Sequence, residues 1–212
     1  MDILNHIAES LRKGEDQRVG TLTREAIAAG VPAADILQEG LIAGMNVVGD
    51  QFRLREIFLP DVLLSARAMY AGLEPLRPHL AKAGVPLRGK VVIGTIKGDL
   101  HDIGKNLVGI MLKGAGFEVI DLGHDVAPEA FVDTAVREGA PLIGMSALLT
   151  TTMSRMKEVV ALIESRGLSG QIKTIVGGAP LSPEFAREIG ADDYASDGST
   201  AVERVKALLG VA

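Results

Sequence analysis

The sequence predicts an α/β protein in two parts, an N-terminal four-helix bundle followed by a domain built on a five-stranded parallel sheet. Two observations predict it. Residues 1–84 carry only apolar stripes of helical period, whereas from Gly89 onward short β-rich runs alternate with helical stretches five times. A chain of 212 residues has room for two such domains, each able to bury its own core.

In the first part Ile3, Ile7 and Leu11 recur every four positions. Leu37, Leu41, Met45, Val48 and Phe52 make a longer stripe, and Leu59, Val62, Leu63, Ala66, Met69 and Leu73 another. Breaks at Gly14, at Gly30-Val31-Pro32 and around Phe58-Leu59-Pro60 separate about four helices. The segment Ala83-Gly84-Val85-Pro86-Leu87-Arg88-Gly89 reads as a linker and a natural hinge, dividing a helical domain (1–84) from an α/β domain (89–212). Strands are expected at Val91–Ile96, Glu118–Leu122, Leu142–Ser146, Thr174–Val176 and Asp193–Ala195. Helices are expected near 103–115, 128–138, 152–166, 183–189 and 199–209, giving a Rossmann-like (flavodoxin-like) layout with helices on both faces of the sheet.

Composition excludes several classes of function. A formal charge of −5 without a Lys/Arg-rich run opposes nucleic-acid binding, which needs a positive surface to displace counterions from phosphates. With no cysteine there is no disulfide, thiol nucleophile, thiolate-held cluster or cysteine zinc site, so any metal is held by His or carboxylate or arrives inside a cofactor. No apolar run is long enough to span a bilayer and no basic, apolar leader opens the chain, so no membrane role and a cytoplasmic location are expected.

In open parallel sheets ligands sit outside the carboxyl ends of the strands. The first such end, Lys97-Gly98-Asp99-Leu100-His101-Asp102-Ile103-Gly104, carries acids where a phosphate-binding turn would avoid them. Asp99, two residues before His101, is placed to accept a hydrogen bond from one imidazole nitrogen, fixing the tautomer and leaving the other lone pair free. Gly98 and Gly104 keep the loop slim. The same pair also reads as a loop cap beside a solvated histidine. Three chemistries compete. A zinc site would need His101 and His124, from only four histidines, with Asp99, Asp102 or Asp125, and would serve a hydrolase. A phospho-acceptor receiver needs an aspartate after the third strand and a lysine after the fifth, where Ser146 and Ser196-Asp197 stand instead. One protein nitrogen on a metal whose remaining ligands form a macrocycle needs a single histidine.

The pattern Asp99-x-His101-x-x-Gly104, with Ser146-x-Leu148 after the third strand and Gly177-Gly178 after the fourth, resembles the DxHxxG…SxL…GG signature of cobalamin-binding domains. The stretch GMNVVGDQFRLREIFLPDVLLSARAM, Gly44–Met69, resembles the helical cap of methyl-carrying corrinoid proteins, including the corresponding module of cobalamin-dependent methionine synthase. The resemblance covers nearly the whole chain and, in size and layout, is to the stand-alone corrinoid proteins of three-component methyltransferase systems.

That resemblance implies a cobalamin or other corrinoid bound base-off, His-on, with His101 as the axial ligand to cobalt. It implies that Asp99 and Thr152 form a proton relay behind the imidazole; the methionine synthase module has a serine at the position of Thr152. Gly98, Leu100, Asp102, Ile103 and Gly104 would line the cofactor, Ser146, Leu148 and Thr150 would meet it and its detached nucleotide tail, and Gly177, Gly178 and Gly198 would make room. Phe52, Leu59 and Val62 would cap its upper face. The implied role is a methyl carrier cycling between Co(I) and methyl-Co(III) (methylcobalamin when loaded), not a complete enzyme alone. A substrate-specific methyltransferase would load it, a second would pass the methyl to coenzyme M or tetrahydrofolate, and a separate reductive activase would rescue oxidised cobalt. A mutase subunit would share the first turn without this cap. A light-sensing cobalamin regulator would add a DNA-binding module and a tryptophan, and the chain has no tryptophan. A cobalamin store would not explain the Asp99–His101 pair.

Overall fold

The computed structural model describes residues 3–83 and 88–211. The chain divides into two compact units, Met1–Leu87 with Lys113–Gly116, and Arg88–Leu112 with Phe117–Ala212. Most of the expected linker and hinge, residues 84–87, lies outside the described residues.

The first unit is helical: α1 (Ile3–Arg12), α2 (Asp16–Ala28), α3 (Ala33–Asp35), a π-helical stretch (Ile36–Ile42), α4 (Ala43–Arg53) and α5 (Leu59–Lys82). On α5, Val62, Ala66, Met69, Leu73, Leu76 and Leu80 are buried at alternating four- and three-residue spacing, the stripe of a core-facing helix. Leu63, expected in that stripe, is 43% exposed, and α1 buries Leu4, Ile7 and Leu11 rather than Ile3. Helix α5 runs through Pro75 and Pro78. Pro75 cannot donate to the carbonyl of Ala71, and that carbonyl faces Gly20 of α2, where any side chain would crowd it. The π-helical stretch widens the turn between α3 and α4, so 33–53 is one helical run with a changed period that a regular apolar repeat does not reveal.

The second unit is a parallel sheet in the order β2-β1-β3-β4-β5, formed by β1 (Lys90–Thr95), β2 (Glu118–Asp121), β3 (Leu142–Ser146), β4 (Lys173–Gly177) and β5 (Asp193–Ala195). Between and after them run α6 (Ile103–Gly114), α7 (Pro128–Glu138), α8 (Thr150–Met153), α9 (Met156–Ser165), α10 (Pro183–Glu188) and α11 (Gly198–Leu209). The central strand β1 is buried along Val91–Thr95, which is why it reads as a continuous apolar run. Gly94 leaves room for the ring of Phe131 on α7, which would meet a Cβ there at 2.7 Å. Helix α7 opens on Pro128 and closes on left-handed Gly139; α10 and α11 start under Ser182 and Asp197, whose side chains accept from the amides of Phe185 and Thr200.

Several boundaries differ from the sequence reading: β1 runs from Lys90 to Thr95, β2 ends at Asp121, and β4 extends over Lys173–Gly177. Ile96, past the end of β1, forms an isolated bridge to Val126 while its amide still donates to the Ser146 carbonyl at 3.0 Å. The helix expected over 152–166 is two, because bonds from Lys157 to Ser154 and from Glu158 to Arg155 tighten the chain into three-residue turns between α8 and α9. No helix among the described residues is long and apolar enough to cross a membrane.

Candidate functional site

The strand order reverses between β1 and β3, which opens a crevice at their carboxyl ends. The loops leaving these two strands meet there on the side chain of Asp99, which is fully buried. One carboxylate oxygen, Oδ1, lies 2.7 Å from His101 Nδ1 and accepts the His101 amide at 3.1 Å. The other, Oδ2, accepts the amides of Leu148 at 2.8 Å and Leu149 at 3.1 Å, and the Thr152 hydroxyl at 2.9 Å.

Burial by itself would raise the Asp99 carboxyl. The Leu148 amide, the ring and amide of His101 and the Thr152 hydroxyl outweigh it and hold the group well below the usual carboxylate range. An ionised carboxylate only accepts, so the 2.7 Å contact fixes the hydrogen on His101 Nδ1 and leaves the Nε2 lone pair pointing away from Asp99. The His101 side chain is about half exposed, and Nε2 has no hydrogen-bond partner among the described residues. Around it in sequence and through the Asp99 contacts stand Leu100, Ile103, Leu148 and Leu149, all exposed; Ile103 is 76% exposed. The arrangement offers an outward imidazole nitrogen beside four uncovered apolar side chains.

The loop is held from several sides. The hydroxyl of buried Thr95 donates to the His101 carbonyl at 3.1 Å. After β2, Asp125 accepts the Gly98 amide at 2.8 Å and the Lys97 ammonium at 3.2 Å, and its own amide donates to the Asp99 carbonyl. Those partners, the Gly98 amide first, keep Asp125 below its ordinary value. Gly98 has φ +86°, a left-handed conformation that lets the chain turn into Asp99. Lys105, on the first turn of α6, is buried with its ammonium on Asp121 and Asn106.

The structure thus brings Asp99, His101, Leu148 and Thr152 together, with Gly98 against the Thr152 methyl. Leu100, Ile103 and Gly104 are exposed, Asp102 half-buried, and Thr150 exposed at the start of α8. Ser146 ends β3 in register with Thr95 and Gly177. Gly177 and Gly178 have a packing role of their own: a Cβ on Gly177 would meet the Ala195 carbonyl at 2.9 Å, and one on Gly178 would run into the carbonyl of Ala147. Gly198 is buried against the sulfur of Met111. In the helical unit Val62 is fully buried, while Phe52 and Leu59 are half-buried. No group of three or more His, Asp or Glu side chains that could hold a metal ion exists among the described residues, as a conventional zinc site requires.

Sequence reasoning did not single out Thr95, Lys105, Asp121 or Leu149. Lys105 and Asp121 sit in the ordinary-looking runs GKN and VIDLG, and only the fold places them together. Leu149 contributes its amide, which no residue pattern encodes.

A B12 binding domain model matches residues 89–206, and a second B12 binding domain model matches residues 3–77. The chain is 43% identical over 213 residues to a corrinoid protein of Desulfitobacterium hafniense, covering 99% of each chain. It is 41% identical over 210 residues to trimethylamine corrinoid protein 2 of Methanosarcina acetivorans, covering 98% of this chain and 97% of the other. In structure it is similar to a chain of the methanol:cobalamin methyltransferase complex MtaBC from Methanosarcina barkeri, at TM-score 0.87 and 31% identity, covering 98% of this chain and 80% of that one. The chain belongs to the B12-binding corrinoid proteins of methyltransferase systems.

Proposed function

We propose that this protein is a methyl carrier in which His101, through Nε2, is the axial ligand to the cobalt of a corrinoid bound base-off, His-on. The observation that carries the reading is the buried Asp99 carboxylate on Nδ1, which presents Nε2 outward as a bare lone pair. When bound, the corrinoid supplies a cobalt that alternates between Co(I) and a methylated Co(III) state.

The chain's own residues would adjust that ligand. The Thr152 hydroxyl lies 2.9 Å from Asp99 Oδ2 and 3.0 Å from the Leu149 carbonyl, and carries one hydrogen to share between them. With Asp99 ionised the hydrogen goes to the carboxylate; when a proton rests on Asp99, the hydroxyl turns to Leu149 and accepts instead. The imidazole is thereby coupled to a carboxylate and a hydroxyl that can hold or release a proton without exposing either to water.

Gly98, Leu100, Asp102, Ile103 and Gly104 would line the corrinoid beside His101, with Leu148 opposite. Ser146, Thr150, Gly177, Gly178 and Gly198 would accommodate the displaced nucleotide tail. Phe52 and Leu59 of the helical domain (1–84) would shield the face opposite His101 from water and oxygen, as a movable cap on the α/β domain (89–212), whereas Val62, fully buried, serves the core of the helical domain instead. The partners are a substrate-specific methyltransferase that loads the methyl, a second that delivers it to coenzyme M or tetrahydrofolate, and a reductive activase, all in the cytoplasm. Names of the relatives, which specify trimethylamine and methanol systems, support a small methylated donor.

Gel filtration after loading with hydroxocobalamin tests this directly. Stoichiometric retention of cobalamin, with its own base displaced at neutral pH, is the expected result. Cobalamin that elutes with the small molecules, or that stays base-on, contradicts it.

A further inference from the structure

The methyl-carrier reading leaves one buried ionic group unexplained. Lys105 is only 4% exposed and sits in the first turn of α6. That is the helix end where the dipole disfavours a cation, and a buried ammonium carries a desolvation cost of its own. Its three N–H groups are all taken. Nζ lies 2.6 Å from Asn106 Oδ1, 2.6 Å from Asp121 Oδ1 and 2.5 Å from Asp121 Oδ2. A saturated, enclosed ammonium has nothing to offer a substrate; what it does is fix the start of α6 to the end of β2.

The bonds from there form a closed circuit. Asp121 Oδ1 accepts the Gly123 amide at 2.8 Å. The Gly123 carbonyl accepts the Thr95 amide at 2.9 Å, and the Thr95 hydroxyl donates to the His101 carbonyl at 3.1 Å. Four residues on from His101 the chain returns to Lys105. The loop that carries His101 is therefore enclosed by a ring of hydrogen bonds whose ionic closure is Lys105–Asp121, independent of the Asp99 contact that orients the imidazole ring.

We propose that Lys105 is a positioning residue for His101: its bidentate hold on Asp121 keeps the 95–105 segment in one arrangement, so that Nε2 occupies a single place relative to the sheet. The geometry of the loop is fixed by the circuit, and the direction of the ring within it by Asp99.

The test uses the full chain with Lys105→Met combined with Asp121→Asn. Asparagine keeps an acceptor for the Gly123 amide, and methionine fills the space of the lysine stem, so folding stability stays near that of the parent. Two readouts are taken. In the cofactor-free protein, the His101 ring resonances, sharp in the parent, broaden through exchange among loop conformers in the double variant. In protein loaded with Co(II) cobalamin and nitrogen-15 histidine, the fraction of cobalt carrying a histidine nitrogen falls about tenfold, the size of effect that outer-shell changes have at metal-bound histidines. Unchanged His101 resonances together with an unchanged histidine-ligated fraction overturn the proposal. If the parent itself shows no histidine nitrogen on cobalt, the methyl-carrier reading fails while the resonance comparison still decides the positioning role. Should the double variant not fold, Lys105→Met alone, which removes the link and leaves the partly exposed Asp121 to water, is measured the same way, and sharp parent-like resonances there overturn the proposal equally.

Discussion

Asp99 Oδ1 lies 2.7 Å from His101 Nδ1, while its second oxygen gathers the Leu148 and Leu149 amides and the Thr152 hydroxyl from the loop after β3. One carboxylate thus orients the imidazole and ties together the two strand ends that form the crevice. Asp99→Asn separates these duties. An amide nitrogen turned toward the β3 loop would face three donors; turned toward His101, it would donate to Nδ1 and move the ring hydrogen onto Nε2, removing the outward lone pair. The variant is expected to lose about 2–3 kcal/mol in urea unfolding at pH 7, since hydrogen bonds to a buried charge are lost. Parental stability would contradict the assignment.

The same carboxylate gives stability a pH dependence of definite sign. Its pKa is lower in the folded protein than in the unfolded chain, where it takes the ordinary value of about 3.9. Below that value the unfolded chain binds a proton that the folded one does not, so Asp99's contribution is complete above it and declines as pH falls toward the folded pKa. The stability gap between the parent and Asp99→Asn should narrow as pH falls below about 4. A gap that stays flat, or widens, below about pH 4 would count against an ionised Asp99.

Thr152 contributes its hydroxyl, not its methyl, to this network. Thr152→Ser is expected to stay within about 0.5 kcal/mol of the parent, and Thr152→Val to cost about 1–2 kcal/mol by leaving Asp99 Oδ2 one donor short. Urea titration of the two variants separates them; equal stability of both would assign Thr152 to packing alone.

Gly178 combines φ +138° with a backbone against which a Cβ would run into the Ala147 carbonyl. Gly178→Ala is therefore expected to destabilise by about 2 kcal/mol or more, through backbone strain and displacement of the β3 end. Near-parental unfolding would show that these strand ends yield easily.

How much of this was legible in the sequence follows from what each feature depends on. Strands β1, β3 and β4 stand out because their apolar runs are largely buried, whereas β2 and β5 at the sheet edges are mostly half-buried or exposed and are marked by β-rich composition alone; the strand-end rule then points to 97–104. The Asp99–His101 contact spans two residues, so chain geometry alone suggests it. By contrast, the Leu149 amide, the Thr95 hydroxyl and the Lys105–Asp121 pair enter through register and loop closure between β1, β2 and β3, relations that no local pattern carries. The π-helical stretch Ile36–Ile42 was invisible for a related reason: its buried Leu37 and Leu41 keep a four-residue spacing that suits an α-helix equally.

His101→Ala removes the proposed axial nitrogen without touching the crevice between the strand ends. It is expected to retain cobalamin in equilibrium dialysis, held by its tail, while losing histidine ligation. Complete loss of binding would contradict the tail-anchoring part of the proposal.

The measurement that bears most directly on the central claim is an electron paramagnetic resonance spectrum of the protein carrying Co(II) cobalamin, recorded with natural and with nitrogen-15 histidine. Axial coordination by His101 Nε2 predicts that the nitrogen splitting changes from triplet to doublet with the label, and that His101→Ala abolishes this change. A splitting indifferent to the histidine label would contradict it, because the cobalt would then carry some other ligand and the Asp99–His101 pair would serve the loop alone.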